Sequence, residues 1–124
     1  MIGLDGATLD LIRPWAAEGK LPTLSRLMQE GAWGKLAAQI PPNSVPNWPS
    51  FATGMNPGKH GVTWWLSQEG SRLIDRRDIK GRPVWDIAGD QGRKVAVINV
   101  PVTYPPYQVN GVMVTGLLTP ASAT

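Results

Sequence analysis

Ser44, Asn47, Asp5 and His60 are the residues whose types and surroundings could carry chemistry in this chain. Ser44 lies in the stretch PPNSVPNWPSFATGMNPGKHGV, residues 41–62. Pro41, Pro42 and Pro46 each fix their own φ and bias the residue before them toward extended geometry, which puts Ser44 in a rigid turn. Asn47 can cap a short helix opening on Trp48 and Pro49, since proline is tolerated in a first turn whose amides lack partners anyway. Gly54 can end that helix with a left-handed residue. A hydroxyl just ahead of a helix N-terminus faces unpaired amides and the positive end of a dipole, a setting suited to phosphate or sulfate chemistry. The simpler alternative makes Ser44 a capping hydroxyl. Ser50 and Thr53 compete with it, but inside the helix they are expected to bond to backbone carbonyls.

Asp5 follows Met1-Ile2-Gly3-Leu4, which reads as the end of a buried strand running into a turn at Gly6. Ligand groups gather at the carboxyl ends of strands in α/β proteins, so Asp5 is either a ligand there or the cap of the next helix. Three apolar residues make a short first strand, which points to residues preceding Met1. The glycines do not form the G-x-G-x-x-G dinucleotide fingerprint. His60, the chain's single histidine, is either a hydrogen-bonded turn residue or a ligand. Asp10, Asp86 and Asp90 read as helix-surface acids.

The elements that must position these groups follow from periodicity. Leu9, Ile12 and Ala16 have helical spacing, Pro22 opens a second helix faced by Leu24, Leu27 and Met28, and Gly31 stops it. Residues 33–40 read as a strand leading to Ser44, with Trp33, Leu36 and Ile40 as core candidates. Trp64 and Trp65 are expected to be buried or at an interface. Residues 67–80 are polar and loop-like, with a short strand around Leu73 and Ile74. Pro83 starts a helix ending near Gly92. KVAVINV, residues 94–100, is nearly continuous and β-branched, as a doubly covered parallel strand should be, and residues 111–117 give another strand. Strand, helix and strand in this order predict right-handed crossovers in an α/β sheet.

Composition sets the limits. A chain of 124 residues has the size of one small domain, and 42% apolar content with six tryptophans suffices for a packed core. There is no cysteine, which removes disulfides and cysteine zinc sites. No apolar run approaches the ~20 residues that cross a bilayer and no secretory leader is visible, which favours a cytoplasmic protein without a membrane partner. The net charge of +3 is modest, and Arg72, Arg76, Arg77, Lys80 and Arg82 alternate with Asp75 and Asp78. Mixed signs at that density read as a solvated face rather than a nucleic-acid binding module.

The Ser44 segment resembles the nucleophile motif of the type I phosphodiesterase/nucleotide pyrophosphatase branch of the alkaline phosphatase superfamily. More narrowly it is similar to the microbial phosphohydrolase/phosphomutase-like proteins. Their pattern has a proline pair, a Thr or Ser, a further proline and a Trp, then S-F-x-T-G and N-P-G-K-H-G. The opening G-L-D-G, the run NVPVTYPP at residues 99–106 and GVMVTGLLTP at residues 111–120 continue the likeness over essentially the whole chain. Pro49 and Asn47 depart from it, standing where many relatives have Thr and Ala.

The resemblance implies an alkaline-phosphatase-like α/β fold, a mostly parallel sheet with helices on both faces. Residues 1–124 would be the amino-terminal fragment of one such catalytic domain, with the remaining part of that domain as its partner. It implies metal-dependent hydrolysis of small-molecule phosphate esters, of phosphodiester or pyrophosphate type, through a phospho-enzyme on Ser44. Ser44 and Asp5 would be metal ligands, and Asn47 would bind the phosphoryl oxygens. Two divalent ions, zinc or alternatively manganese, would take their other Asp and His ligands from beyond Thr124, leaving the fragment inactive alone. His60 belongs to the structural N-P-x-x-H-G turn. Two other readings remain: a metal-dependent phosphomutase, and a non-catalytic interaction module with its tryptophans as the partner surface.

Overall fold

The computed structural model describes residues 1–67 and 69–123, so the polar stretch expected over 67–80 is described on either side of Gln68. The chain divides into two compact units, Met1–Ala37 and Ala38–Thr124.

The first unit is a helix pair. Thr8 caps α1 (Leu9–Ala17), its hydroxyl accepting from the Asp10 amide, and so Asp5 is not the cap of this helix. Pro22 opens α2 (Pro22–Glu30) as its spacing predicts, and Gly31 closes it in an extended conformation rather than a left-handed one. The Arg13 guanidinium stacks over the Trp33 ring, 5.7 Å from its centroid. Neither helix contains a buried residue. Two sequence expectations fail here. Residues 1–4 form no strand and Met1, Ile2 and Leu4 are exposed; residues 32–40 likewise form none, with Trp33, Leu36 and Ile40 exposed. An apolar extended segment becomes a strand only through a ladder partner, and among the described residues neither segment has one.

The second unit holds the core. Its elements are α3 (Ser44–Thr53), the short α4 (Pro57–His60), a 3₁₀ turn at Arg76–Asp78, α5 (Val84–Asp90) and strands β1 (Val95–Val100) and β2 (Gly111–Thr115). The strands are parallel, with Val97 opposite Met113 and Ile98 opposite Val114. The register then slips at Asn99, a bulge whose φ of 55° asparagine tolerates better than a β-branched residue would. Gly116 is required just beyond β2: a Cβ there would lie 2.5 Å from the Val100 carbonyl oxygen. One face of β1 is packed, through Val97, while Ile98, Val112 and Val114 on the other face are exposed, so the double cover expected of β1 is realised on one side among the described residues.

Val45, Val62, Ile74 and Val102 form the buried cluster, with Trp65, Ile79 and Leu118 packed against it. Trp65 thus joins the core, whereas Trp64 is exposed. The strand expected near Leu73 reduces to one antiparallel bridge between Leu66 and Leu73. The arginine-rich stretch is organised by ion pairs. Arg72 grips Asp78 with two N–H groups at 2.8 and 2.9 Å, and Arg77 donates to the buried Asp75 at 2.6 Å. These arginines hold both carboxyls below the usual aspartate range. The Ile40–Pro41 and Tyr104–Pro105 peptide bonds are cis.

Candidate active site

Asn43, not Asn47, caps the helix that carries Ser44. Asn43 is extended, and its side-chain oxygen accepts from the Val45 amide at 3.0 Å. Helix α3 therefore begins four residues earlier than the sequence suggests, and Ser44 occupies its first position instead of lying ahead of it. Pro46 falls in the first turn, where a missing amide hydrogen costs little. Pro49 falls deeper and removes one ladder bond. Gly54, at φ 69°, ends the helix in the left-handed conformation its position predicts.

The shift changes the electrostatics around Ser44. The Val45 amide is taken by the Asn43 side chain, Pro46 has none, and the Asn47 amide bonds to the Asn43 carbonyl at 3.2 Å. The amide-rich tip expected from sequence is thus largely spent. What remains at Ser44 is the positive end of the helix dipole. The half-buried Asn47 stands one turn along, three residues from Ser44. Its oxygen accepts from the Gln39 amide at 2.9 Å, and its NH₂ donates to the Asn43 carbonyl at 2.6 Å. That bond uses one of the two amide hydrogens, and the pair of bonds fixes the loop before the helix to its first turn.

Both competing hydroxyls behave as their helical positions predict. Ser50 donates to the Pro46 carbonyl at 3.1 Å and Thr53 to the Pro49 carbonyl at 2.7 Å. His60 is fully buried. Its Nδ1 accepts from the Val62 amide at 3.2 Å, so the neutral ring carries its proton on Nε2 and donates it to the Ser50 oxygen at 2.9 Å. Burial depresses its pKa. With both nitrogens engaged, His60 is a strut between α3 and the turn after α4. It is placed neither as a base for Ser44 nor as a metal ligand.

Asp5 lies in the first unit, exposed, in the turn that Gly6 completes at φ 68°. Among the described residues no three His, Asp or Glu side chains gather closely enough to hold a metal ion. The residues present do not by themselves make a metal centre.

Sequence reasoning missed a second polar cluster. The Trp85 indole donates to the Tyr107 hydroxyl at 2.7 Å, and that hydroxyl donates to an Asp86 oxygen, also at 2.7 Å. Burial and the neighbouring carboxylate push the Tyr107 pKa up to about 12. Asp86 is half-buried, not the surface acid its helical position suggested. Only the 22-residue separation of Trp85 and Tyr107 hid this contact, since no local periodicity reports it.

A family model described as Type I phosphodiesterase / nucleotide pyrophosphatase matches residues 1–122. The chain is also similar to human ectonucleotide pyrophosphatase/phosphodiesterase family member 1, 28% identical over 105 residues, which is 76% of this chain and 11% of that protein. The chain thus spans about a tenth of the curated relative's length. No solved structure matches significantly. Among the described residues no helix is long and apolar enough to cross a membrane.

Proposed function

The chain belongs to the type I phosphodiesterase/nucleotide pyrophosphatase family, a family of phosphate-ester hydrolases, and on that premise we propose that Ser44 is the nucleophile of a metal-dependent phosphodiester or pyrophosphate hydrolysis. The observation that carries the reading is the position of Ser44 at the first residue of α3, behind the Asn43 cap. A hydroxyl at that point approaches an anionic phosphoryl group with the helix dipole opposing the charge repulsion. The Ser44 oxygen attacks phosphorus as its proton passes to solvent, the bond from phosphorus to the leaving alkoxide, aryloxide or phosphate breaks, and water then cleaves the bond between phosphorus and the serine oxygen, restoring the hydroxyl. Asn47 presents its second amide hydrogen to the non-bridging oxygens. Asp5 and Ser44 would be this chain's ligands to a zinc or manganese ion, which would supply charge neutralisation at the phosphoryl group. Any further ligands that ion needs are not gathered among the described residues. His60 takes no part.

The test is Ser44→Ala in the active protein with an aryl phosphodiester as substrate. Turnover should fall by about a thousandfold or more, as removal of a nucleophile does elsewhere. Metal content should persist, and Thr53→Ala should keep near-normal rates. Equal activity in the Ser44→Ala protein removes the nucleophile from the reading. Rearrangement of a sugar phosphate without release of phosphate would convert the hydrolase into a phosphomutase using the same serine.

A further inference from the structure

Two hydroxyls of α3 bond back to a carbonyl one turn earlier, and their surroundings differ. Thr53 donates to the Pro49 carbonyl at 2.7 Å and accepts from the Met55 amide at 3.2 Å, a neighbour two residues on. Ser50 donates to the Pro46 carbonyl at 3.1 Å and accepts from the buried ring of His60 at 2.9 Å, ten residues away. A hydroxyl has one hydrogen to give, and a helical serine is otherwise free to swing it. At Ser50 the ring occupies the acceptor side and directs the hydrogen to Pro46.

Pro46 makes that bond consequential. Proline has no amide hydrogen, so the carbonyl is the only backbone group through which hydrogen bonding can tie Pro46 down. Pro46 and Val45 are both buried, and Val45 shares a core cluster with Val62. The Val62 amide in turn donates to His60 Nδ1 at 3.2 Å. A closed circuit results. On one side run the Val62 amide, the imidazole, the Ser50 hydroxyl and the Pro46 carbonyl, and on the other lies the apolar cluster that Val45 and Val62 share. The Lys80 amide, bonded to the His60 carbonyl at 2.9 Å, anchors the circuit outside the helix.

Ser44 immediately precedes Val45, in the first turn of α3. First turns fray because their amides lack helical partners, and a frayed turn lets a side chain on it wander. Placement matters for a nucleophile: a displacement of about 1 Å can cost about a hundredfold in rate. We propose that Ser50 is a positioning residue for Ser44, its hydroxyl transferring the rigidity of the buried His60 ring to the turn that carries the nucleophile. This role presupposes Ser44 as the nucleophile, and neither Ser50 nor His60 exchanges a proton with substrate.

Ser50→Ala, made in the active protein alongside Ser44→Ala and Thr53→Ala, is assayed on an aryl phosphodiester, with rates divided by the folded fraction. Ser50→Ala should lower kcat between about tenfold and a hundredfold and leave KM unchanged, the signature of a misplaced group rather than of lost binding. Ser50→Thr, which keeps a hydroxyl able to bond to the same carbonyl, should recover most of the rate. Amide hydrogen exchange gives a readout independent of turnover: Val45 and Asn47 should exchange faster in Ser50→Ala and not in Thr53→Ala. If Ser50→Ala folds poorly, Ser50→Cys fills the space with a weak donor and carries the same expectations. Retained turnover in Ser44→Ala overturns the nucleophile itself. Lost turnover there with an undiminished kcat in Ser50→Ala, an equal kcat loss in Thr53→Ala, or unchanged exchange at Val45 and Asn47 overturns the role of Ser50 alone.

Discussion

The units Met1–Ala37 and Ala38–Thr124 contain similar proportions of legible pattern but differ in what that pattern buries. In the first, both helices appear where spacing, caps and prolines put them, yet α1 and α2 contain no buried residue. In the second, α3 alone contributes Val45, Pro46, Pro49 and Ala52 to the interior. The difference lies in cross-chain anchoring. His60 joins α3 to the turn after α4, the Lys80 amide bonds to the His60 carbonyl at 2.9 Å, and Val102 ties the loop after β1 to the end of β2. The first unit has its helix caps, short-range ion pairs and one cation–π contact. Amphipathic spacing fixes where a helix forms; burial needs a partner surface.

Three measurements can break or sharpen this contrast. The largest effect is expected from His60→Ala. It leaves a cavity and strips the Val62 amide and the Ser50 hydroxyl of a partner, for a loss of about 3 kcal/mol in urea unfolding. A loss under ~1 kcal/mol would show that the second unit does not depend on this strut.

The pH dependence comes next. The folded pKa of His60 lies below its unfolded value near 6.5, so the unfolded state takes up a proton that the folded state refuses. Stability is therefore fully present above pH 6.5 and falls as pH drops from there toward the folded pKa. The slope should not exceed about 1.4 kcal/mol per pH unit, one proton's worth. The depressed pKa values of Asp75 and Asp78 act only in the range below about 4, so the two windows separate. A midpoint in urea that stays flat between pH 6.5 and 5 would contradict the buried neutral ring.

The smallest effect is expected from Leu36→Ala in the first unit. This leucine is 96% exposed, and its loss should move stability by no more than about 0.5 kcal/mol. A cost of 2 kcal/mol or more, the range of buried leucines, would mean that this surface is covered in solution.

Much of the second unit was legible because its signals are local. The β-branched run at residues 95–100, the glycine after α3 and the proline before α5 each report on a few neighbouring residues. The α3 start was misread by four residues because Asn43 and Asn47 are equally good caps in sequence. The choice fell to Asn43 once the Asn47 side chain was engaged by the Gln39 amide, a contact eight residues back. Ser44 stands out in the sequence because its prolines and the flanking motif mark it. The Arg76–Tyr107 stack and the Trp85–Tyr107–Asp86 chain do not, since they join residues 21 to 31 apart that no period connects. The strand expected over residues 33–40 failed for the converse reason: the local pattern was present, but no partner strand for it lies among the described residues.

The sealed imidazole has a practical use. Reagents that acylate histidine have a single target here, and both of its nitrogens are bonded inside the protein. Modification can then proceed only through transient openings of the packing around α3 and α4, so its rate becomes a clock for local unfolding rather than an assay of catalysis.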